Sequence, residues 1–347
     1  MAQRVLLTGA NGFVGSHILA QLLAQGSSVR SVVRSQAKAD QVLADFPNYG
    51  SKLDFAIVPD LTAPGAFDQA VQSTPPFDTV IHTASPFLYR VAKDASDFLD
   101  PAIKGTLGVL KSVKANAPEV KRIVVTSSCA AVVDFTADPF ASPQKVYTED
   151  DWNPMTVEKA LGGAENLNFF YQVSKKYAEK SAWDFLEQEK PNFDLVTITP
   201  PMIYGPLHHS VKSVKELNQS NGRIYDLFIN SSKTADVPPN GMHVYTDVRE
   251  VAEAHVKAAT MPGASNQRFI VCAGRISSQN ICDLLREAFP ELSERTPEGK
   301  KGDAGLSPTA YTCSSERAMD TLGIQFRSPK ETFVELAKQL LEIEKSS

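Results

Sequence analysis

The chain has 347 residues, 42% of them hydrophobic, which suffices for a sizeable core in one large domain or two closely joined ones. Its 35 Lys and Arg against 40 Asp and Glu leave a net charge of −5, which argues against a nucleic-acid or membrane-surface partner. No apolar run reaches the roughly 20 residues needed to cross a bilayer. The N-terminus lacks a basic start and cleavage site, and Cys129, Cys272, Cys282 and Cys313 form no C-x-x-C pair, so they read as reduced thiols of a cytoplasmic protein.

In chain order, strands are predicted at Val5–Thr8, Val29–Val33, Asp54–Val58, Thr79–Thr83, Arg122–Ser127 and Leu195–Thr199. Helical patterns fall between them, including Asp97–Asn116 and Tyr171–Glu189. Such alternation implies an α/β fold with a doubly wound parallel sheet. After Pro200 the pattern loosens. Gly205–Asn240 is loop-rich, Asp247 caps a helix running to Thr260, and Arg268–Val271 reads as a strand. Ser278–Phe289 reads as a helix stopped by Pro290, Glu291–Gly305 as polar loop, and Ser328-Pro329 opens a last helix to Glu342. The expected division is a Rossmann domain over 1–200, rejoined by 240–262, and a substrate-binding lobe from 201–239 and 263–347.

Thr8-Gly9-Ala10-Asn11-Gly12-Phe13-Val14-Gly15 directly follows the apolar run Val5-Leu6-Leu7. A strand, three glycines three residues apart and an apolar-periodic helix make a dinucleotide-binding turn. Gly9 permits the tight turn, Gly12 a close approach of the backbone to a pyrophosphate, and Gly15 close packing of helix on sheet. Asn11 and Phe13 sit within the same turn. Val14, Ile18 and Leu22, with Leu19 and Leu23, line one helix face, and Gly26 ends it.

The second strand names the cofactor. An NAD site places an acid at that strand's end, roughly 20 residues past the motif. Here Arg34 follows the strand, Lys38 comes soon after, and the first acid in the chain is Asp40. A guanidinium can grip a 2′-phosphate that a carboxylate would repel, so NADPH is favoured.

Ligands of doubly wound sheets sit beyond the C-terminal strand ends. The fifth strand ends in Thr126-Ser127-Ser128. Tyr171 and Lys175 stand four apart on one helix face, so a lysine cation neighbours a phenol whose ordinary pKa of about 10 is too high for chemistry at neutral pH. Ser128, Tyr171 and Lys175 can converge on a carbonyl beside a nicotinamide. Tyr89 and Lys93 repeat the spacing but follow the fourth strand, which places them at a pocket mouth or surface. His208-His209 cannot share a helix face and reads as loop; no metal site is expected.

On these segments, together with Val58-Pro59-Asp60, His82-Thr83-Ala84-Ser85-Pro86-Phe87, Tyr204-Gly205-Pro206 and Asp247-Val248-Arg249, the chain resembles the extended short-chain dehydrogenases/reductases. It is similar there to fungal NADPH-dependent carbonyl and methylglyoxal reductases and to plant dihydroflavonol reductases. The resemblance implies that Arg34 and Lys38 hold the 2′-phosphate, Asp60 bonds the adenine, and Thr83 and Ala84 line the cofactor. It implies that Lys175 bonds the nicotinamide ribose and tunes Tyr171, that Ser128 orients the substrate carbonyl, and that backbone from Pro200 to Met202 holds the carboxamide. It departs at Lys104, where related chains often carry an asparagine that can help a proton relay; the sequence leaves open what a lysine does there.

The reading is therefore an NADPH-dependent reductase of small-molecule ketones and aldehydes, monomer or homodimer, with Tyr171 as proton donor. Phe87, Val133, Phe169, Met202 and Tyr204 flank the strand tips and are expected to wall an apolar pocket. Two rivals share the scaffold. A sugar-nucleotide epimerase or dehydratase would usually retain NAD, against Arg34 and Lys38, and a non-catalytic NADP sensor would not need Ser128, Tyr171 and Lys175 together.

Overall fold

The computed structural model describes residues 3–85, 95–162 and 167–346. The chain opens with β1 (Arg4–Thr8), α1 (Phe13–Ala24), β2 (Ser28–Val33), α2 (Gln36–Asp45), β3 (Leu53–Ile57) and β4 (Thr79–His82). Then come α3 (Ala95–Asn116), β5 (Arg122–Thr126), β6 (Val146–Tyr147), α4 (Val157–Gly162), α5 (Leu167–Glu189) and β7 (Asp194–Thr199). The remainder holds β8 (Met202–Tyr204), α6 (Gln219–Ile224), β9 (Val244–Asp247), α7 (Val248–Ala258), β10 (Gln267–Ile270) and β11 (Gly274–Arg275). It closes with α8 (Ser278–Ala288), β12 (Thr312–Cys313), α9 (Glu316–Leu322) and α10 (Pro329–Ser346).

Seven strands form one parallel sheet in the order β10-β7-β5-β4-β1-β2-β3. The order reverses between β1 and β4, which opens a crevice at their C-terminal ends. The strands are near-continuous apolar runs because both faces of the sheet are covered. On β1, Val5 and Leu7 pack with Ile18 and Leu22 of α1 and Val251 of α7. Leu6 points the other way, to Val109, Leu110 and Val113 of α3 and Phe185 of α5. Fully burying each such side chain contributes ~1.5–3 kcal/mol.

The end of α1 shows how local chemistry sets these boundaries. Gly26 has φ +88°. Its N–H donates to Leu23 O at 3.0 Å and that of Ser27 donates to Leu22 O at 3.0 Å, so a left-handed glycine closes the last turn with paired bonds.

Beyond β7 the structure departs from expectation. Met202–Tyr204, for which the sequence predicts no element, is β8; it pairs in parallel with β9, which pairs antiparallel with β11. This small sheet, with α6, α8 and α10, encloses a separate core that includes Ile224, Phe228, Leu285, Phe333 and Leu340. The expected lobe of 263–347 is not one body. β10 is an edge strand of the main sheet, and Ala318 and Leu322 of α9 pack into the α1 and α7 core.

Gly15 tests the packing directly. A methyl there would overlap the Gly9 carbonyl, its carbon only 2.7 Å away, whereas a methyl at Gly50 meets nothing within 4 Å. Alanine ordinarily favours a helix over glycine by ~1 kcal/mol. Gly15→Ala should nonetheless lower Tm while Gly50→Ala leaves it unchanged. A higher Tm for Gly15→Ala would show that the close approach is not a constraint.

Candidate active site

The glycine turn runs straight from β1 into α1. Gly9 takes φ +75°, and the Gly12 N–H donates back to Gly9 O at 2.9 Å. Gly12 stands at the N-cap of α1, and no side chain caps the helix there, so its leading N–H groups can receive an anion. Asn11 is half-buried in the turn. Phe13 packs on the core of the second lobe and lies edge-on to His17, with ring centroids 6.1 Å apart.

Across the crevice, one hydroxyl sews β1 to β4. Thr8 Oγ1 accepts the N–H groups of Thr83 and Ala84, each at 3.1 Å. Its two lone pairs are then used, so it donates to His82 Nδ1 at 2.9 Å, and the histidine proton sits on Nε2. Thr83 Oγ1 donates to Thr8 O at 2.7 Å. Thr83 and Ala84 are thereby locked at the reversal of strand order between β1 and β4. Burial and the neighbouring Lys175 charge push His82 down to about 4, which keeps it neutral.

At the tip of β2, Arg34 is exposed and has no ion-pair partner among the described residues. Lys38 is half-buried and donates to Gln41 Oε1 at 2.9 Å. Asp60 lies in the turn after β3, where its Oδ1 accepts Thr62 N–H at 2.8 Å and Thr62 Oγ1 at 2.6 Å. Those two donors hold its carboxyl below the ordinary value.

Ser128 is held by its backbone. It opens a single 3₁₀ turn over Cys129–Ala131 and accepts the Ala130 N–H at 3.1 Å. On either side, Ser127 N–H donates to Ile198 O at 2.8 Å and Cys129 N–H to Pro200 O at 2.9 Å. Ser128 therefore rides on the adjacent end of β7, and buried Pro200 is part of that clamp. The Ser128 hydroxyl lies close enough to the Tyr171 phenol to favour its ionised form. Lys175 Nζ lies over the Tyr171 ring, 5.8 Å from its centroid, and donates to Ser85 Oγ at 3.3 Å. The three residues expected to converge do so. Tyr171 does not open its helix, however; α5 begins four residues earlier, at Leu167.

The electrostatics reverse one expectation. Burial pushes the Tyr171 phenol above its usual value, only partly offset by the Ser128 hydroxyl. Burial pushes Lys175 down to about 8. Enclosure disfavours phenolate and ammonium alike, so it outweighs the expected tuning of Tyr171 by Lys175 in the protein alone.

Other expectations need correction. Lys104 points outward and pairs with Asp100 at 3.1 Å on the exposed face of α3. It is Ala102 and Thr106 that border a cavity of about 20 Å³ beside Lys175, His82, Thr126 and Ser127. Val133 is fully buried with Tyr147, Val244 and Tyr311, so it is core rather than pocket wall. Tyr204 is likewise core, 5.1 Å from the Phe333 ring. Met202 and Phe169 are half-buried; Phe169 leans on the cluster of Phe98, Phe170 and Val173. Phe87, Tyr89 and Lys93 lie outside the described residues. His208 stacks on Phe46 with centroids 5.2 Å apart, and the described residues hold no cluster of metal-ligand type. All four cysteines are free and buried, and no helix among the described residues is long and apolar enough to cross a membrane.

Sequence reasoning named Ser85 only within a strand-end segment, without its bond to Lys175, and gave no role to a second residue, Glu179. The second left a signal: it stands one further step of four along α5 from Lys175, an acid on the face that carries Tyr171 and Lys175.

Comparison with known proteins follows the same lines. The sequence matches the NAD dependent epimerase/dehydratase family over residues 5–273. It is 40% identical over 343 residues to the ketoreductase azaE of Aspergillus niger, covering 99% of this chain and 98% of that protein. It is 36% identical over 345 residues to the NADPH-dependent methylglyoxal reductase GRE2 of Saccharomyces cerevisiae, covering 98% of each. The crystal structure of yeast methylglyoxal/isovaleraldehyde reductase Gre2 complexed with NADPH superposes with a TM-score of 0.91 at 35% identity, covering 99% of this chain and 100% of that one. The glycine turn, the seven-stranded sheet and relatives that span nearly the whole length lead to one conclusion: the chain belongs to the NAD dependent epimerase/dehydratase family, within the extended short-chain dehydrogenases/reductases.

Proposed function

We propose that the protein reduces ketones and aldehydes to alcohols with NADPH, and that Ser128, Tyr171 and Lys175 carry the proton chemistry. The observation that carries this reading is Lys175 laid against the Tyr171 ring, 5.8 Å from its centroid, with the Ser128 hydroxyl close enough to the same phenol to favour its ionised form. The residues fit the cofactor. Gly9 and Gly15 carry no Cβ where one would run into neighbouring backbone, the N-terminus of α1 is uncapped, and Arg34 with Lys38 supplies cations where an NAD site would carry an acid. Asn11, Gly12 and Phe13 would border the pyrophosphate, Asp60 the adenine, Thr83 and Ala84 the crevice floor, and Pro200 with Met202 the carboxamide side. NADPH, when bound, supplies the hydride that reduces the carbonyl carbon.

The chain's own groups handle the oxygen. Ser128 donates a hydrogen bond to the carbonyl oxygen and so stabilises the negative charge that develops there. Tyr171 gives that oxygen its proton. A phenol pushed above its usual pKa stays protonated across the physiological range, as a donor must. Lys175, while charged, favours the phenolate that remains. The half-buried Met202 and Phe169 offer apolar contact to a small neutral carbonyl compound. We place the protein in the cytoplasm, in keeping with four free, buried thiols.

Tyr171→Phe keeps the ring and removes the donor. Turnover of methylglyoxal, followed by NADPH absorbance, should fall by about 10² or more, as general acid catalysis typically contributes 10²–10⁴, with NADPH affinity retained. Near-normal turnover would sink the assignment.

The pH dependence follows from Lys175, at about 8. Below that value it is charged and supports the phenolate; above it the charge is lost. The kcat/KM for NADPH should therefore decline along an alkaline limb near that value. A flat profile to about pH 9.5 would contradict the role given to Lys175.

Arg34→Asp with Lys38→Ala removes two cations and provides an acceptor for a ribose 2′-hydroxyl. The ratio of kcat/KM for NADPH over NADH should invert. An unchanged ratio would mean that the 2′-phosphate is held elsewhere.

A further inference from the structure

Tyr171, Lys175 and Glu179 follow one another at steps of four along a single face of α5. Glu179 has a side chain only 1% exposed, yet it reaches three strands of the main sheet. Ser127 Oγ, at the tip of β5, donates to its Oε2 at 2.6 Å. Thr197 Oγ1 on β7 donates to its Oε1 at 2.8 Å. Arg268 Nε on β10 donates to Oε1 at 2.7 Å, and another guanidinium nitrogen to Oε2 at 3.3 Å. Arg268 is itself anchored. It donates to Glu149 O at 2.6 Å and Asp151 O at 3.0 Å, and its guanidinium lies 3.9 Å from the centroid of Trp152.

We propose that Glu179, backed by Arg268, is a positioning residue that fixes the rotation and height of α5 against the strand ends and so aligns Tyr171 and Lys175 with Ser128. The inference rests on the catalytic reading above. Its physical basis is the contrast between two kinds of contact. The apolar face of α5 holds the helix against the sheet, but such contacts are non-directional and tolerate small slides and turns. Charge-assisted hydrogen bonds to three strands are directional and do not. The tether also ends on Ser127, the immediate neighbour of Ser128, so it links the two halves of the site at their base. A buried ion pair is a weak source of net stability, and an apolar pair of similar volume often serves the fold as well or better. Alignment is what such a replacement would lose. Misplacement by ~1 Å can cost about 10² in rate.

Two variants separate alignment from folding. Ser127→Ala cuts the bond to the tip of β5 and leaves the Glu179–Arg268 pair intact. It should lower kcat with methylglyoxal by about 10-fold, with KM for NADPH and Tm nearly unchanged. Glu179→Leu with Arg268→Met replaces the pair by apolar volume without stranding a charge. It leaves the Ser127 and Thr197 hydroxyls and the Glu149 and Asp151 carbonyls without these partners, so Tm should fall, while kcat, read at a temperature where the variant is fully folded, should drop by about 10² with little change in KM for NADPH. Should the double variant not fold, Ser127→Ala decides. Parent-like kcat in the folded double variant, or in Ser127→Ala if the double variant does not fold, would overturn the proposal. So would loss of kcat in Ser127→Ala that merely tracks loss of its Tm. Tyr171→Phe is measured alongside: if it is inactive while the other variants match the parent, only the positioning role fails, and if it is active, the catalytic reading fails and takes this inference with it.

Discussion

The approach of the Ser128 hydroxyl to the Tyr171 phenol joins the tip of β5 to the second turn of α5, and each side belongs to a different frame. A neutral hydrogen bond contributes only ~1 kcal/mol net, far too little to dock a helix of 23 residues. The two hydroxyls meet because both frames are already in place. The Ser128 frame is the sheet itself: Ser127 and Cys129 are tied to the carbonyls of Ile198 and Pro200 at the end of β7. The Tyr171 frame is the apolar seam on which Ala182 and Phe185 of α5 bury against β5, β7 and α3. Whatever disturbs the register of β5 against β7 reaches the reacting groups without touching them.

A second pattern lies in how the central strands stop. β1, β5 and β7 end in Thr8, Thr126 and Thr199. Threonine keeps the branched shape that suits a buried strand while it adds a hydroxyl where the backbone leaves the sheet. Each hydroxyl has a partner. Thr8 meets His82, Thr126 meets His255 Nε2 at 2.7 Å, and Thr199 donates to Phe269 O at 3.0 Å. His255 is also bonded through Nδ1 to Val251 O, and burial pushes it down to about 4, so it stays neutral. The strand ends at Thr8, Thr126 and Thr199 are thus polar and satisfied by neutral partners.

Much of this was legible in the residues. The strands of the main sheet announce themselves because burial on both faces demands unbroken apolar runs such as Val5-Leu6-Leu7. The glycine turn and the four-residue step from Tyr171 to Lys175 are local, and local patterns survive folding. What failed was non-local. β8, β9 and β11 are two to four residues long and too short to show a period. Val133 and Tyr204 are apolar beside the strand tips, but only the packing of Tyr147, Tyr311 and Phe333 decides that they face inward. Lys104 shares a helix with Thr106, and only the docking of α3 decides which of them meets the site. The Glu179–Arg268 pair spans 89 positions, beyond any spacing rule. The direction of the Tyr171 shift depends on enclosure, which a sequence does not display.

That enclosure changes more than a single proton affinity. In water a lysine ammonium is a weaker acid than a tyrosine phenol. Within this protein Tyr171 is raised above its usual value while Lys175 falls to about 8, so the order is inverted. A phenolate left behind after Tyr171 has given up its proton is then a stronger base than the Lys175 amine. Proton return from lysine to tyrosine runs downhill, by ~1.4 kcal/mol for each unit of separation. On the reading proposed above, recharging of Tyr171 between turnovers would draw on the same burial that raises it. Wetting the seam would erase that gradient even with every side chain left in its place.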